Sequence, residues 1–191
     1  NKIPIVVNDS RGFYTSRVFS TYPSEGMALL AEGHHPREIE SAGMKAGMPV
    51  GPLAVTDEVS LGLMAHVRNQ TRKDLEMEGK ILPESPMDHV IELMVEKVKR
   101  LGRAAGGGFY EYDEKHKKLW PGLREHFPPC KNIVSQEEMI ERMMFVQALD
   151  TVRCYEENVL TSIADANIGS ILGWGFAPFK GGTLQFINDY G

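Results

Sequence analysis

The feature that most restricts what this chain can fold into is an order of helical segments and Gly/Pro turns that occurs twice. Phe13 to Glu32 carries Val18, Phe19, Tyr22, Met27, Leu30 and Ala31 near helical spacing. Pro23 sits inside that stretch, and its missing N–H and bulky ring predict a kink. Gly33 is a natural stop. Pro36 to Ala46 reads as a shorter helix with Pro36 in its first turn, Gly47 to Pro52 as a loop, and Leu53 to Leu61 as a third short helix. The same order returns later. Ser135 and Glu138 form an S-x-x-E capping box that opens a helix to about Asn158, with Met139, Ile140, Met143, Val146 and Leu149 as its buried stripe. Ser162 to Leu172 is a shorter helix, Gly173 to Gly182 a Gly/Pro loop and Thr183 to Tyr190 a final helix. Arg17 precedes Glu32, and Arg142 precedes Glu157, by the same 15 positions. Three features in one order point to duplication.

Between the two copies, Leu63 to Glu78 and Met87 to Leu101 read as longer amphipathic helices, the second with Val90, Ile91, Met94, Val95 and Val98 on one side. Gly102 to Gly108 breaks the pattern. Phe109, Tyr110 and Tyr112, followed by Leu119 and Trp120, suggest a small hairpin, and the Pro-containing stretch Trp120 to Asn132 reads as a linker. Strands alternating with helices, which a parallel sheet needs, are absent. The fold class is therefore all-α with at most one small hairpin. Residues 1–112 form a first helical repeat with the start of the hairpin, 113–134 the end of the hairpin and a linker, and 135–191 a second repeat.

Composition narrows the function classes. Of 191 residues, 42% are hydrophobic and 25% charged, which excludes a disordered tail, a collagen-like rod and a disulfide-stapled miniprotein. The net charge is −5, and the densest basic stretch, Lys115 to Lys118, is flanked by Asp113 and Glu114 and reads as a solvated loop. Nucleic-acid binding through phosphate charge is disfavoured. Cys130 and Cys154 make no C-x-x-C and read as free thiols of a reducing compartment. No apolar stretch approaches the roughly 20 residues of a membrane span. The chain opens at Asn1 and enters the apolar segment Ile3 to Val7 at once, as expected for a piece of a longer polypeptide.

Catalytic patterns are sparse. Gly173 to Pro178 spells G-x-G-x-x-P, but it follows a helix where a dinucleotide loop needs a strand. Gly106-Gly107-Gly108 lacks the Lys and Ser/Thr of a phosphate loop and reads as a tight turn. His34, His35, His66, His89, His116 and His126 offer no i, i+4 metal pair, and His34-His35 sits at a helix end, where an imidazolium suits the dipole. Asp57 and Glu58 are adjacent, so on a helix their side chains diverge. Spacing alone gives a helical, intracellular, duplicated module.

Specific motifs go further. Val7-Asn8-Asp9-Ser10-Arg11-Gly12-Phe13-Tyr14-Thr15-Ser16-Arg17 resembles the D-x-x-G-F-x-x-N-R segment that opens the C-terminal domain of 3-hydroxyacyl-CoA dehydrogenases. Gly47-Met48-Pro49-Val50-Gly51-Pro52 followed by Asp57 resembles that family's G-x-P-x-G-P…D turn, and Gly106 to Tyr112 its G-K-G-F-Y-x-Y. Arg153 to Glu157, Asp165 to Gly169 and Gly181-Gly182 are similar to the second copy of this domain in multifunctional fatty-acid β-oxidation proteins.

The resemblance implies a duplicated helical domain of the 6-phosphogluconate dehydrogenase C-terminal-like type, part of an NAD-dependent oxidoreductase. It places the Rossmann domain, the NAD and a catalytic His–Glu pair upstream, and implies no cofactor for this chain alone. Ser16 aligns with the family's catalytic Asn, and Phe13, Arg17, Gly51 and Pro52 with its substrate cleft. For Arg17 a helix-to-helix or interdomain ion pair is the favoured role. Gly107 stands where the family has Lys. Implied partners are an acyl-CoA substrate, the Rossmann domain, an enoyl-CoA hydratase domain in the same chain, a thiolase subunit and a second copy of the chain. Implied locations are the cytoplasm of a bacterium or another intracellular β-oxidation compartment. Two alternatives stay open: a non-catalytic dimerisation or scaffold module, and the helical domain of another β-hydroxyacid dehydrogenase.

Overall fold

The computed structural model describes residues 3–113 and 116–191. Glu114 and Lys115, part of the expected basic loop, lie outside the described residues, as do Asn1 and Lys2. The helices are α1 (Thr15–Ala31), α2 (Pro36–Lys45), α3 (Pro52–Val59), α4 (Leu61–Met77), α5 (Pro86–Glu92), α6 (Leu123–His126), α7 (Gln136–Glu156), α8 (Ile163–Trp174) and α9 (Thr183–Tyr190). The one sheet among the described residues is the antiparallel hairpin of β1 (Tyr110–Tyr112) and β2 (Lys117–Leu119), with Tyr110 opposite Leu119. The chain is therefore mostly helical with one small hairpin, as its periodicity predicts. The order α1–α2–turn–α3 recurs as α7–α8–turn–α9.

Two compact units form, and they interleave along the chain. The first gathers Asn1–Glu25, Ser41–Gly51 and Val134–Gly191; the second gathers Gly26–Glu40 and Pro52–Ile133. Helices α1 and α2 are each divided between the units, α1 after Glu25 and α2 after Glu40.

In the first unit, Tyr14, Val18, Cys154, Val159, Leu160 and Ala166 form a buried cluster, with Ile5, Val7, Trp174 and Leu184 packed against it. Complete burial of an aliphatic side chain contributes about 1.5–3 kcal/mol. Local signals set the helix starts. Ser135 caps α7 by accepting the Glu138 N–H, and Ser162 caps α8 by accepting the Asp165 N–H. Asn167 Oδ1 accepts the Leu184 and Gln185 N–H groups in the first turn of α9. Pro23 does not end α1; the Ser20, Thr21 and Ser24 hydroxyls bond back to carbonyls of the surrounding turns.

The second unit departs from expectation in two places. The helix expected over Met87 to Leu101 stops at Glu92 and continues as a π-helical turn, Leu93–Lys97, after which Lys99 takes a left-handed φ of 56°. The stretch Trp120 to Asn132 is no open linker. It contains α6, it buries Leu123 and Phe127 to 1% and 2% exposure, and Arg100 lies over the Trp120 ring at 4.5 Å. Apolar burial outweighs the local turn chemistry of its prolines.

Candidate functional site

The start of α1 is set by an unusual turn. Gly12 and Phe13 both adopt positive φ, 79° and 49°, and the Phe13 N–H donates to Ser10 O at 2.9 Å. A phenylalanine in the left-handed region is strained, so the surrounding contacts must hold it. Tyr14 supplies them. It is fully buried, donates its hydroxyl to Ala166 O at 2.8 Å, lies 3.3 Å from Thr183 Oγ1 and meets the Trp174 ring edge-on at 5.4 Å. Desolvation raises the Tyr14 hydroxyl pKa, so it stays a neutral donor.

With Tyr14 locked inward, helical geometry turns Ser16 outward. Ser16 is exposed, and its hydroxyl has no hydrogen-bond partner among the described residues. It lines a shallow groove of about 200 Å³ with Thr15, Phe19, Gly173 and Trp174. Thr15 and Gly173 also line a neighbouring apolar groove of about 470 Å³ with Ile3, Ile5, Ile168, Gly169 and Leu172. Gly173 permits the approach, since a Cβ there would come within 3.1 Å of Thr15 Cγ2. One hydroxyl beside a longer apolar surface can hold a polar group with an aliphatic tail.

The other expected site residues divide. Phe13 is 57% exposed at the same helix start. Arg17 forms a helix-to-helix ion pair, with Glu157 at 2.5 Å and Asp150 at 3.4 Å. The Glu157 hydrogen bond is the main reason the guanidinium pKa is raised, and Arg17 in turn holds the Glu157 carboxyl below the usual range. Gly51 and Pro52 do not lie on an open face. Both are buried, Pro52 as the first residue of α3, and a Cβ on Gly26 would meet the Pro52 ring.

Sequence reasoning missed the role of Asp57. Within the second unit this residue joins two separate motifs. Its carboxylate, 1% exposed, accepts the Phe109 N–H at 2.8 Å, the Tyr110 N–H at 2.9 Å and the Tyr112 hydroxyl at 3.0 Å. Gly108 is required there, because a Cβ would overlap Asp57 Oδ1. Glu40 works alongside, accepting the Leu53 N–H at 2.6 Å and the Tyr110 hydroxyl at 2.7 Å. Burial pushes both carboxyls above the usual range, and the hydrogen bonds oppose that. The signal was present: the G-x-P-x-G-P…D and G-F-Y-x-Y motifs each lacked a structural reason until they met.

No helix among the described residues is long and apolar enough to cross a membrane, and no group of three His, Cys, Asp or Glu among them could hold a metal ion. Nor does the glycine-rich turn fit a dinucleotide. Gly173 to Pro178 lies at the carbonyl end of α8, where Gly175 is the C-cap at φ 78° and packs against Pro49. A pyrophosphate needs the N–H end of a helix.

Comparison with known proteins agrees with this architecture. Residues 12–112 match the family model described as 3-hydroxyacyl-CoA dehydrogenase, C-terminal domain. The fatty acid oxidation complex subunit alpha of Shewanella frigidimarina is 32% identical over 194 residues; the match covers 100% of this chain and 26% of that protein. The chain therefore spans about a quarter of that relative. The crystal structure of the dehydrogenase part of multifunctional enzyme 1 from C. elegans shares the fold, with a TM-score of 0.63 at 24% identity over 91% of this chain and 39% of that one. With the family model matching more than half of its residues, the chain belongs to the 3-hydroxyacyl-CoA dehydrogenase C-terminal domain family.

Proposed function

We propose that these residues are the helical part of an NAD-dependent 3-hydroxyacyl-CoA dehydrogenase of fatty-acid β-oxidation, which converts 3-hydroxyacyl-CoA and NAD to 3-oxoacyl-CoA and NADH. They provide one wall of the acyl-CoA site together with interdomain or dimer contacts. The dinucleotide domain and a His–Glu pair belong to a preceding part of the same polypeptide. The observation that carries this reading is the free, outward Ser16 hydroxyl beside an apolar groove, at the position of the family's Asn.

Ser16 donates one hydrogen bond to the acyl oxygen, while the Ile3, Ile168 and Leu172 surface takes aliphatic chain and excludes water. Phe13 closes the entrance, and Arg17 positions α1 through its ion pair. NAD, when bound, supplies the hydride acceptor and is held mainly by the preceding dinucleotide domain. The name of the Shewanella relative, a subunit of a complex, supports a multi-enzyme setting; the partners proposed for it are a hydratase domain in the same chain, a thiolase subunit and a second copy. The proposed location is the cytoplasm of a bacterium or another intracellular β-oxidation compartment.

The test is Ser16→Ala in the full-length polypeptide. kcat/KM for a 3-hydroxyacyl-CoA should fall ~10-fold, about the worth of one hydrogen bond in the transition state, with circular dichroism unchanged. Ser16→Asn, which restores the family residue, should keep or raise it. Unchanged kinetics in Ser16→Ala would remove Ser16 from the site.

A further inference from the structure

Away from this groove, within the second unit, three side chains make an arrangement that the dehydrogenase reading does not use. Cys130 Sγ lies 3.7 Å from His34 Nδ1, and His34 Nε2 lies 3.4 Å from Glu32 Oε2. We propose that Glu32, His34 and Cys130 form a thiol-activating relay, with Cys130 the attachment point for one half of a low-molecular-weight disulfide.

The backbone builds the arrangement. Gly33 takes a positive φ of 91°, and a Cβ there would overlap Pro128 O and come within 2.7 Å of Cys130 N. The 128–130 segment therefore lies directly on Gly33, and the Cys130 N–H donates to Gly33 O at 3.3 Å. That contact brings Cys130 to the imidazole of the next residue. His34 is 2% exposed and its own N–H is tied to Leu29 O at 3.1 Å, so the ring is held in place.

The chemistry follows from which nitrogen carries the proton. A carboxylate can only accept, so Glu32 favours the tautomer with hydrogen on Nε2. That leaves the Nδ1 lone pair facing the thiol, the arrangement a nucleophilic cysteine needs. The thiol hydrogen has a second acceptor, Asn132 O at 3.3 Å, so the sulfur is oriented from two sides. The imidazole lies between its two neighbours and uses both nitrogens. This is a linear relay and no metal cage, in keeping with the absence of any three-ligand metal group among the described residues. Cys130 is half-buried and within reach of a small molecule, whereas Cys154 is fully buried and its thiol is pushed up to about 11 by burial.

The step balances. Cys130 gives its proton to His34 Nδ1. Its thiolate attacks one sulfur of the disulfide, the new S–S bond forms as the old one breaks, and the second half leaves with the electron pair of the broken bond. That leaving thiolate takes the proton from the imidazolium. Cys130 is oxidised to a mixed disulfide, and one half of the reagent is reduced to thiol.

The experiment incubates the full-length polypeptide with oxidised glutathione near neutral pH and follows each cysteine by peptide mass spectrometry. A synthetic peptide spanning residues 126–134 carries the same Cys130 without His34 and serves as the reference. Cys130 in the folded protein should gain glutathione at least ~10-fold faster than in the peptide, with Cys154 unmodified. His34→Gln and Glu32→Gln should each bring the rate toward the peptide value. Where His34→Gln fails to fold, Glu32→Gln decides, since that side chain is 40% exposed. A folded-state rate at or below that of the peptide, or one that Glu32→Gln leaves unchanged, overturns the proposal.

Discussion

Replacing Asp57 by Ala removes the acceptor that ties α3 to the hairpin. Two buried backbone donors, Phe109 N–H and Tyr110 N–H, lose their partner, and the Tyr112 hydroxyl loses a bond at 3.0 Å. Phe109 is fully buried and Tyr110 is 8% exposed, so water does not reach these donors readily. Each unsatisfied buried donor costs about 1–3 kcal/mol, giving roughly 2–6 kcal/mol for the pair. Removing a carboxylate whose pKa burial has raised returns part of that. The expected net loss is about 2–4 kcal/mol. Urea unfolding of wild type and Asp57→Ala measures it, and hydrogen exchange localises it, since protection at Phe109 and Tyr110 should fall first. A change under about 0.5 kcal/mol, with protection at both amides retained, would refute the role assigned to this carboxylate.

Other expectations follow from the same contacts. Arg17→Met should cost about 1–2 kcal/mol in chemical denaturation, because Asp150, 11% exposed, loses its closest cation among the described residues and is left with the more distant Arg153 at 3.8 Å; an unchanged midpoint would show the pair to be idle. Burial raises the Glu40 pKa, so the folded state binds this proton more tightly than the unfolded state does. Its contribution is complete below the unfolded pKa and is lost as pH rises through the folded one. The stability of wild type relative to Glu40→Gln should therefore decline as pH rises above the ordinary carboxylate range, and a difference that grows with pH would contradict this sign. Duplication predicts that Arg17–Leu61 superposes on Arg142–Tyr190 in a crystal structure with matching helix directions, and unrelated directions would end that reading.

Helix starts were the most legible features, because their determinants are local. Ser135 and Ser162 each cap a helix within three residues of themselves, and the expected final helix, Thr183 to Tyr190, has its predicted bounds. What periodicity could not reveal was pairing at a distance. Asp57 binds backbone 52 and 53 positions away, and its neighbour Glu58 instead meets Arg103 at the surface. The divergence of these two side chains was readable, but the destination of Asp57 was not. The prolines around Phe127 suggested a linker, yet Leu123 and Phe127 found buried positions that no local pattern records. At the candidate site, Ser16 stood out only by alignment with the family. The close packing of Pro52 depends on Gly26, whose missing Cβ leaves room for the Pro52 ring.

The interleaving of the two units has a consequence for vectorial synthesis. The Tyr14 hydroxyl bonds a carbonyl 152 positions later, and Asn8 one 150 positions later. At about 5–20 residues per second, roughly 8–30 s separate the translation of Tyr14 from that of Ala166. Gly26–Glu40 and Pro52–Ile133 have all been translated before α7 exists, so the second unit can close first. Throughout that interval Tyr14 and Val18, both fully buried in the finished molecule, have no cluster to enter. The first half of α1 is thus a nascent-chain segment whose apolar side chains wait for native partners that have yet to leave the ribosome.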